Sequence, residues 1–214
     1  MTEPVRLLLA RHGRTEWHRD NRYVSRTDIG IDETGREQAQ TLAQRAKEES
    51  PSLVLSSPLK RALLTAGPAA EACGLQPETD DRLRELDFGG WEGKTFGEIR
   101  AQDPERAERF LHSAEHGFPG GEPLEDGAGR ILAVFEDLRR SHAGRTVLVV
   151  AHNTLLRLGL CAVLGVPLGE YRRRLPRVVN GAVSEVRFGE GGGALYSLND
   201  PGQAKRTQRE GKAQ

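Results

Sequence analysis

The sequence predicts a three-layer α/β sandwich with a mostly parallel central sheet. Three short, nearly continuous apolar runs have the pattern of strands covered on both faces: Val5–Ala10, Ser52–Ser57 and Thr146–Ala151. Segments with helical periodicity separate these runs, and strands that alternate with helices build a sheet between two helical layers. We therefore expect residues 1–198 to form a single domain and the polar residues 199–214 to form a disordered tail.

Helical periodicity is found in four segments: Thr34–Glu49, Leu59–Gly74, Leu124–Arg140 and Asn153–Gly165. Thr34 and Glu37 predict a capping box at the start of the first segment. Gly67 and Pro68 predict an interruption of the second. Two further strands are expected within residues 181–188 and 193–198, joined by the glycine-rich turn "GEGGG".

The composition gives no general electrostatic attraction to nucleic acid or to an anionic membrane. The 31 lysines and arginines balance 31 acidic residues. The two cysteines, Cys73 and Cys161, lack metal-ligand spacing, and the N-terminus lacks the pattern of a secretory signal. The longest apolar stretch, around Leu158–Leu168, is too short to span a bilayer. These features predict a cytoplasmic protein without nucleic-acid or membrane partners, and they leave a homodimer open.

Cationic side chains follow each of the three predicted strands. Arg11 and His12 come after the first strand. Arg61 falls in the first turn of the helix after the second strand, and His152 follows the third. Ligands of open α/β sheets bind beyond the carboxyl ends of the strands, where helix N-termini favour anions. We therefore expect these four side chains to converge on one anion, and the sequence predicts a phosphate pocket.

Cleavage of a phosphate ester also needs a nucleophile and a proton donor. An uncharged imidazole can attack phosphorus, and guanidinium groups close to His12 would disfavour its protonated form. The segment "RLRELDFGGWEG" supplies three acidic candidates for the donor: Glu85, Asp87 and Glu92. For Asp87 and Glu92, we favour a solvated charged loop without a catalytic role.

Six blocks of this sequence resemble, in the family's order, the histidine phosphatase superfamily and more closely its phosphoglycerate mutase-like branch. They are "LLLARHGRTEWHRDNRY", "IDETGREQA", "SSPLKRALLTA", "RELDFGGWEG", "PGGEPLEDGAGRI" and "VLVVAHNTLLR". The resemblance as a whole runs over roughly Val5 to Leu198. The resemblance implies that His12 becomes phosphorylated and that Glu85 acts first as acid and then as base. It implies that the phosphoryl group is held by Arg11, Arg61 and a His152 that we expect to be protonated. It implies no metal and no cofactor.

Three positions depart from the family pattern. His18 stands where the family usually has asparagine, Val24-Ser25 replaces Gln-Gly, and Asn153 replaces a glycine. We expect these changes to alter substrate preference and rate rather than the reaction. The residues expected to contact substrate are Arg11, Thr15, His18, Arg22, Tyr23, Arg61, Glu85, His152 and Asn153. Asn180 matches a family asparagine near the pocket, with packing in the core as the alternative.

Residues 88–123 leave the strand–helix alternation and carry scattered aromatic residues: Trp91, Phe96, Phe110 and Phe118. An insertion at this point would form a small helical cap above the phosphate pocket, where loops commonly carry specificity. The alternative is that these aromatic side chains only pack onto the domain. A cap predicts a small phosphomonoester substrate, with or without a second acidic group, such as a phosphorylated sugar, glycerate or amino acid.

Three functions are compatible with this pocket: a metal-independent phosphomonoester hydrolase, a phosphoglycerate mutase-type transferase and a non-catalytic phospho-ligand binding protein. The hydrolase is favoured because "ELDFGGWEG" resembles the phosphatase form of the acid loop and because the chain is shorter than the mutases. Retention of both His12 and Glu85 argues against a binding protein. His112 and His116 have a spacing that zinc can use, but we favour a solvated helix face for them.

Overall fold

A six-stranded sheet forms the centre of the molecule, and four of its neighbouring strands are parallel. The computed structural model describes residues 2–201. The strands are β1 (Val5–Arg11), β2 (Leu53–Ser56), β3 (Glu78–Thr79), β4 (Thr146–Ala151), β5 (Val183–Gly189) and β6 (Gly192–Asp200). Their order is β3-β2-β4-β1-β5-β6, and only the pairs β1–β5 and β5–β6 are antiparallel among these strands. The predicted α/β class with a mostly parallel sheet is confirmed.

Alternate residues of the central strands enter two separate hydrophobic cores. Leu7 and Leu9 of β1 pack into one core, whereas Leu8 and Ala10 pack into the other. The helices are α1 (Glu33–Glu49), α2 (Lys60–Ala72), α3 (Phe96–Gln102), α4 (Pro104–His112), α5 (Leu124–Ser141), α6 (Asn153–Leu164) and α7 (Tyr171–Arg174). Helices α1 and α2 cover the second core, and α5 and α6 cover the first. Burial on both faces explains the nearly continuous apolar runs.

Two predicted helix features are wrong. Helix α1 begins at Glu33 and is capped by Asp32, whose Oδ1 accepts the Gly35 amide at 2.9 Å, so the cap lies before Thr34. Arg14 Nε binds the same carboxylate at 2.7 Å and helps to hold it there. Helix α2 continues through Pro68 without interruption, because buried alanines around the proline pack against the sheet and offset the lost hydrogen bond.

The last strand continues beyond the predicted end of the domain. Strand β6 ends at Asp200, so the boundary at residue 198 is two residues too early. Asn199 is fixed by its side chain: Oδ1 accepts the Val179 amide at 2.7 Å, and Nδ2 donates to the Arg177 carbonyl at 3.0 Å. These contacts are long-range, which is why local composition did not reveal them. Residues 202–214 of the predicted tail lie outside the described part of the chain.

Three of the four aromatic residues noted in segment 88–123 pack with one another. Trp91, Phe110 and Phe118 are buried, and their ring centroids lie 4.6–5.6 Å apart. These three side chains therefore pack onto the domain, which is the alternative to a cap above the phosphate pocket. Phe96, at the start of α3, instead lines the same cavity as His12. The segment 88–123 therefore contributes both a packed aromatic cluster and part of a cavity wall.

The loop after β1 packs closely against the first turn of α1. A Cβ atom at Gly13 would lie 2.6 Å from the Gly35 carbonyl oxygen, so only glycine fits there. We expect Gly13→Ala to lower the free energy of unfolding by about 1–3 kcal/mol and to lower activity, because the loop must move. Gly129→Ala on α5 is the control: its Cβ meets no atom within 4 Å, and alanine should be neutral or stabilising. If denaturant unfolding showed the same loss of stability for Gly13→Ala and Gly129→Ala, the close packing at Gly13 would not explain the effect.

Candidate active site

A cavity of about 440 Å³ lies at the carboxyl ends of β1 and β4. The cavity is walled by the loop after β1, the acid loop up to Phe88, the start of α3, the first two turns of α6 and the segment that leads into β5. The residues of the sequence-based prediction that line it are Arg11, His12, His18, Arg22, Tyr23, Glu85 and Asn153, and Asn180 lines it as well. The structure therefore brings most of the predicted site together.

His12 presents one free ring nitrogen to the site. Its Nδ1 lies 2.8 Å from the Gly13 carbonyl oxygen, and because a carbonyl only accepts, Nδ1 carries the proton. Nε2 is then left with a lone pair. Burial lowers the pKa of His12 well below its ordinary value, and the positive charges of Arg61 and Arg11 lower it further. His12 is thus neutral at physiological pH and suited to nucleophilic attack.

Arg11, the last residue of β1, is held by two contacts. Nη1 donates to the Val178 carbonyl at 2.8 Å, and Nη2 lies 2.7 Å from His18 Nε2. Burial lowers the pKa of Arg11 to about 10, so the guanidinium stays charged at neutral pH. Asn180 supports the same loop, since its Nδ2 donates to the His12 carbonyl at 2.9 Å. Asn180 therefore belongs to the site rather than to the core.

Arg61 is completely buried in the first turn of α2. Its two terminal nitrogens donate to carbonyls of the loop before α1: Nη1 to Thr27 at 3.0 Å and Nη2 to Ser25 at 2.9 Å. Burial lowers its pKa, whereas the nearby Glu85 opposes that shift. These contacts fix the orientation of the guanidinium and leave its Nε available.

His152 is the N-cap residue of α6 and is completely buried. Its ring centroid lies 5.1 Å from that of His12, and its Nε2 lies 2.7 Å from Ser57 Oγ. Burial and the charges of Arg61 and Arg11 lower the pKa of His152 well below the ordinary value, which argues against the expected protonated ring. The neutral ring still supplies a donor if Nε2 accepts from the Ser57 hydroxyl and Nδ1 carries the proton.

Three buried nitrogens around His12 have no hydrogen-bond partner among residues 2–201. They are Arg11 Nε, Arg61 Nε and His152 Nδ1. A buried donor without a partner is costly in a protein that binds nothing, and such groups are rare. An oxyanion with several acceptor oxygens would satisfy all three. A group such as phosphate therefore fits this set of donors.

Glu85 is buried against the N-terminus of α6. Its Oε2 accepts the Thr154 amide at 3.1 Å, and its Oε1 accepts the amides of Leu155 at 3.0 Å and Leu86 at 3.1 Å. Burial raises the pKa of Glu85, against the opposing effect of these hydrogen bonds and of Arg61. A carboxyl group with a raised pKa can hold a proton in the site and give it to a leaving group.

His18 connects Arg11 to the loop behind it. An arginine only donates, so His18 Nε2 faces a donor from Arg11 at 2.7 Å, while His18 Nδ1 lies 3.1 Å from the Thr15 backbone nitrogen and 2.8 Å from Thr15 Oγ1. Burial and the charge of Arg11 lower the pKa of His18 to about 4, which keeps the ring neutral. Thr15 is completely buried and is not among the residues that line the cavity, and its expected contact with substrate stays a prediction.

The other residues that we expect to contact substrate, Arg22, Tyr23 and Asn153, also interact with other parts of the protein. Arg22 Nη1 donates to the Gly93 carbonyl at 2.9 Å and pairs with Glu98 at 3.1 Å, so its charge is already neutralised. Tyr23 belongs to the aromatic wall, with its ring centroid 5.3 Å from that of Phe88. Asn153 lines the cavity, and its Oδ1 accepts the Val178 amide at 3.1 Å.

Glu92 has a role that the sequence pattern did not reveal. Its carboxylate accepts the Ser25 amide and hydroxyl at 2.9 and 2.6 Å and the Thr27 amide at 3.0 Å. The carbonyls of Ser25 and Thr27 are the acceptors that hold Arg61. Glu92 thus fixes the loop that orients Arg61, which corrects its interpretation as a solvated residue. Asp87, which we also assigned to a solvated loop, pairs with the exposed Arg26 at 2.8 Å.

We expect Glu92→Gln to loosen this loop, because an amide NH₂ group would face backbone N–H donors. The free energy of unfolding should fall by about 1–3 kcal/mol, because the half-buried Glu92 side chain would leave backbone donors without an acceptor. Activity should fall about tenfold or more because Arg61 loses its fixed orientation. Asp87→Asn is the matched control on the same loop. Unchanged kinetics of Glu92→Gln, measured beside this control, would contradict the positioning role.

The two histidines considered as a metal pair lie in separate elements. Helix α4 ends at His112, and His116 falls in a separate short turn. Within residues 2–201, no three His, Cys, Asp or Glu side chains are grouped so that they could hold a metal ion. No helix in the same range is both long and apolar enough to cross a membrane.

Comparisons with known proteins agree with this geometry. Phosphoserine phosphatase 1 of Hydrogenobacter thermophilus is 38% identical over 170 residues, 78% of this chain and 80% of that protein. A bifunctional protein of Mycobacterium tuberculosis is 43% identical over 168 residues, 76% of this chain and 46% of that longer protein. The solved structure of mycobacterial glucosyl-3-phosphoglycerate phosphatase with VO3 gives a TM-score of 0.85 at 29% identity, covering 91% of this chain and 99% of the other. Residues 7–201 match the family model of the histidine phosphatase superfamily, branch 1, and the chain belongs to this superfamily.

Proposed function

We propose that this protein is a phosphatase that hydrolyses small phosphorylated metabolites through a phosphohistidine formed on His12. The observation that carries the proposal is the group of three unpartnered buried donors around a neutral imidazole: Arg11 Nε, Arg61 Nε and His152 Nδ1. A simple phosphate-binding site needs the donors but not the free Nε2 of His12. Nor does it need a carboxyl group whose pKa is raised, as that of Glu85 is.

In the first step, the lone pair of His12 Nε2 attacks phosphorus. The bond between phosphorus and the ester oxygen breaks, and protonated Glu85 gives its proton to that oxygen as it leaves. The charge on the phosphoryl oxygens is stabilised by Arg11, Arg61 and His152, whose buried Nε and Nδ1 atoms have no hydrogen-bond partner among residues 2–201. The products of this step are an alcohol, a phosphohistidine and the carboxylate form of Glu85.

In the second step, water replaces the histidine at phosphorus. The Glu85 carboxylate takes a proton from water as its oxygen attacks, and the bond from phosphorus to Nε2 breaks. The electron pair returns to Nε2, so His12 is again neutral and phosphate is released. The proton gained by Glu85 restores the acid needed for the next turnover. The same side chains thus serve both steps.

The cavity and the relatives support a small substrate. A volume of about 440 Å³ lies within the range of small-molecule sites. The named substrates of two relatives, phosphoserine and glucosyl-3-phosphoglycerate, are small phosphorylated metabolites. Small phosphorylated compounds are therefore the class to test first.

Release of inorganic phosphate from a panel of phosphorylated metabolites and phenyl phosphate, in the presence of EDTA, tests the proposal. We expect turnover that EDTA does not reduce. Transfer of the phosphoryl group within or between metabolites, with little free phosphate, would instead indicate a mutase. Stoichiometric binding of phosphate without turnover of any ester would indicate a binding protein.

A further inference from the structure

Beyond the phosphate site, the cavity is lined by three arginines that form no salt bridge within the described residues 2–201. Arg157, Arg172 and Arg177 line it, and none of them forms an ion pair with an acidic residue of the described chain. The fourth peripheral arginine, Arg22, differs because Glu98 pairs with it at 3.1 Å. Uncompensated positive charge in a cavity favours an anionic ligand.

Arg157 supports the segment that carries the other two arginines. It is buried, its Nε donates to the Leu175 carbonyl at 2.5 Å, and its Nη2 donates to the Tyr171 carbonyl at 3.3 Å. Its guanidinium also lies 4.3 Å from the centre of the Tyr171 ring. Burial and the charge of Arg172 lower the pKa of Arg157 to about 10, so it is still a cation at neutral pH. Arg157 is therefore a fixed charge beneath this segment.

Arg172 and Arg177 are less constrained. The guanidinium of Arg172 lies 4.7 Å from the centre of the Phe110 ring, and its Nη1 is 3.5 Å from Tyr23 Oη. Arg177 is exposed and directly precedes Val178, whose carbonyl accepts from Arg11 at 2.8 Å. Arg177 thus adjoins the phosphate end of the cavity, and Arg172 adjoins its aromatic wall.

We propose that Arg172 and Arg177 form a subsite for a second anionic group, a carboxylate or a phosphate, on the organic part of the substrate. This inference rests on the proposed function, in which the first phosphate is bound at His12. A guanidinium can bind a carboxylate or phosphate through two parallel hydrogen bonds. A substrate with a neutral organic part would leave both cations unneutralised, so the subsite selects for a doubly anionic ester.

Helix α7, which carries Arg172, also provides residues for a matched control. Arg173 and Arg174 are neighbours of Arg172 on α7, but both are exposed and pair with Glu170, at 2.9 and 2.7 Å. Neither lines the cavity. Exposed pairs of this kind contribute little to stability. Substituting them removes the same charge from the same helix without touching the proposed subsite.

Two pairs of substrates isolate the second anion. 3-Phosphoglycerate and glycerol 3-phosphate differ in a carboxylate that is replaced by a hydroxymethyl group. Fructose 1,6-bisphosphate and fructose 6-phosphate differ in a second phosphate. For the wild type, we expect kcat/KM to favour the doubly anionic member of at least one pair by about 10- to 100-fold. The pair that shows the preference identifies the anion as carboxylate or phosphate.

In R172Q/R177Q, we expect this ratio of kcat/KM to fall towards one, mainly through a higher KM for the doubly anionic ester. R177Q alone should lower the ratio without disturbing the contact between Arg172 and Phe110, which guards against an effect of misfolding. R173Q/R174Q should keep the ratio of the wild type. A wild type without preference in either pair, or a ratio that R172Q/R177Q leaves unchanged, would overturn the subsite.

The experiment also separates this inference from the proposed function. Hydrolysis of phenyl phosphate without any preference within the pairs rejects the subsite alone. Absence of turnover with every ester rejects the proposed function. In that case, calorimetric binding of 3-phosphoglycerate and glycerol 3-phosphate to the wild type and R172Q/R177Q still tests the subsite. Equal affinities for the two compounds, and equal affinities for fructose 1,6-bisphosphate and fructose 6-phosphate, would then reject it.

Discussion

His12→Ala is expected to lower kcat by about 10⁴-fold or more while phosphate still binds. The nucleophile of the first step is lost, and removal of a nucleophile commonly costs this much or more. The donors proposed to hold the phosphoryl group, Arg11, Arg61 and His152, make their hydrogen bonds to groups other than the imidazole of His12. Calorimetric titration with inorganic phosphate should therefore show binding by the variant.

His112→Ala provides the control for this prediction, since His112 is an exposed residue at the end of α4. It should keep the activity of the wild type. An activity of His12→Ala within tenfold of the wild type, measured with several esters, would show that another group attacks phosphorus. Loss of phosphate binding together with activity would show that His12 mainly holds the ligand.

Glu85→Gln is expected to affect substrates according to their leaving groups. An alkyl phosphate needs a proton on its departing oxygen, so its kcat should fall by about 10²- to 10⁴-fold. Nitrophenyl phosphate releases a stable anion and should lose far less in the first step. The comparison is internal to one variant, so a general loss of folded protein cannot produce it. An equal loss with both substrates would remove Glu85 from the role of acid.

The pH dependence of the wild type gives a second sign of the same role. Burial raises the pKa of Glu85, so its protonated form persists to higher pH than in an exposed glutamate. The kcat for an alkyl phosphate should be highest below this raised pKa and should fall as pH rises through it, because the proton is lost. His12 does not cause this decrease, because its pKa is lowered and it is already neutral there. Glu85→Gln should lack the decrease.

The strand ends and their cationic residues are predictable from the sequence because these features are local. Each apolar run is short and buried on both faces, and the residue after each run points to the same edge of a parallel sheet. This pattern is enough to bring Arg11, His12 and His152 together at one edge. The acid role of Glu85 depended on the resemblance to the family, because a loop of three carboxylates does not itself show which one is buried.

The features that could not be predicted from the sequence depend on contacts between distant segments of the chain. The Glu92 carboxylate accepts a hydrogen bond from the amide of Ser25, which lies 67 residues earlier in the chain. The continuity of α2 through Pro68 depends on packing against the sheet. The neutral state of His152 follows from the charges that surround it, not from its position at a helix N-terminus. None of these has a local pattern.

The stereochemical course at phosphorus tests the central claim most directly. An ester whose phosphoryl group is made chiral with sulfur and oxygen isotopes is hydrolysed, and the configuration of the product is determined. Each in-line displacement inverts phosphorus, so attack by His12 followed by attack of water predicts overall retention. Overall inversion would mean that water attacks the ester directly, and it would contradict a phosphohistidine intermediate on His12.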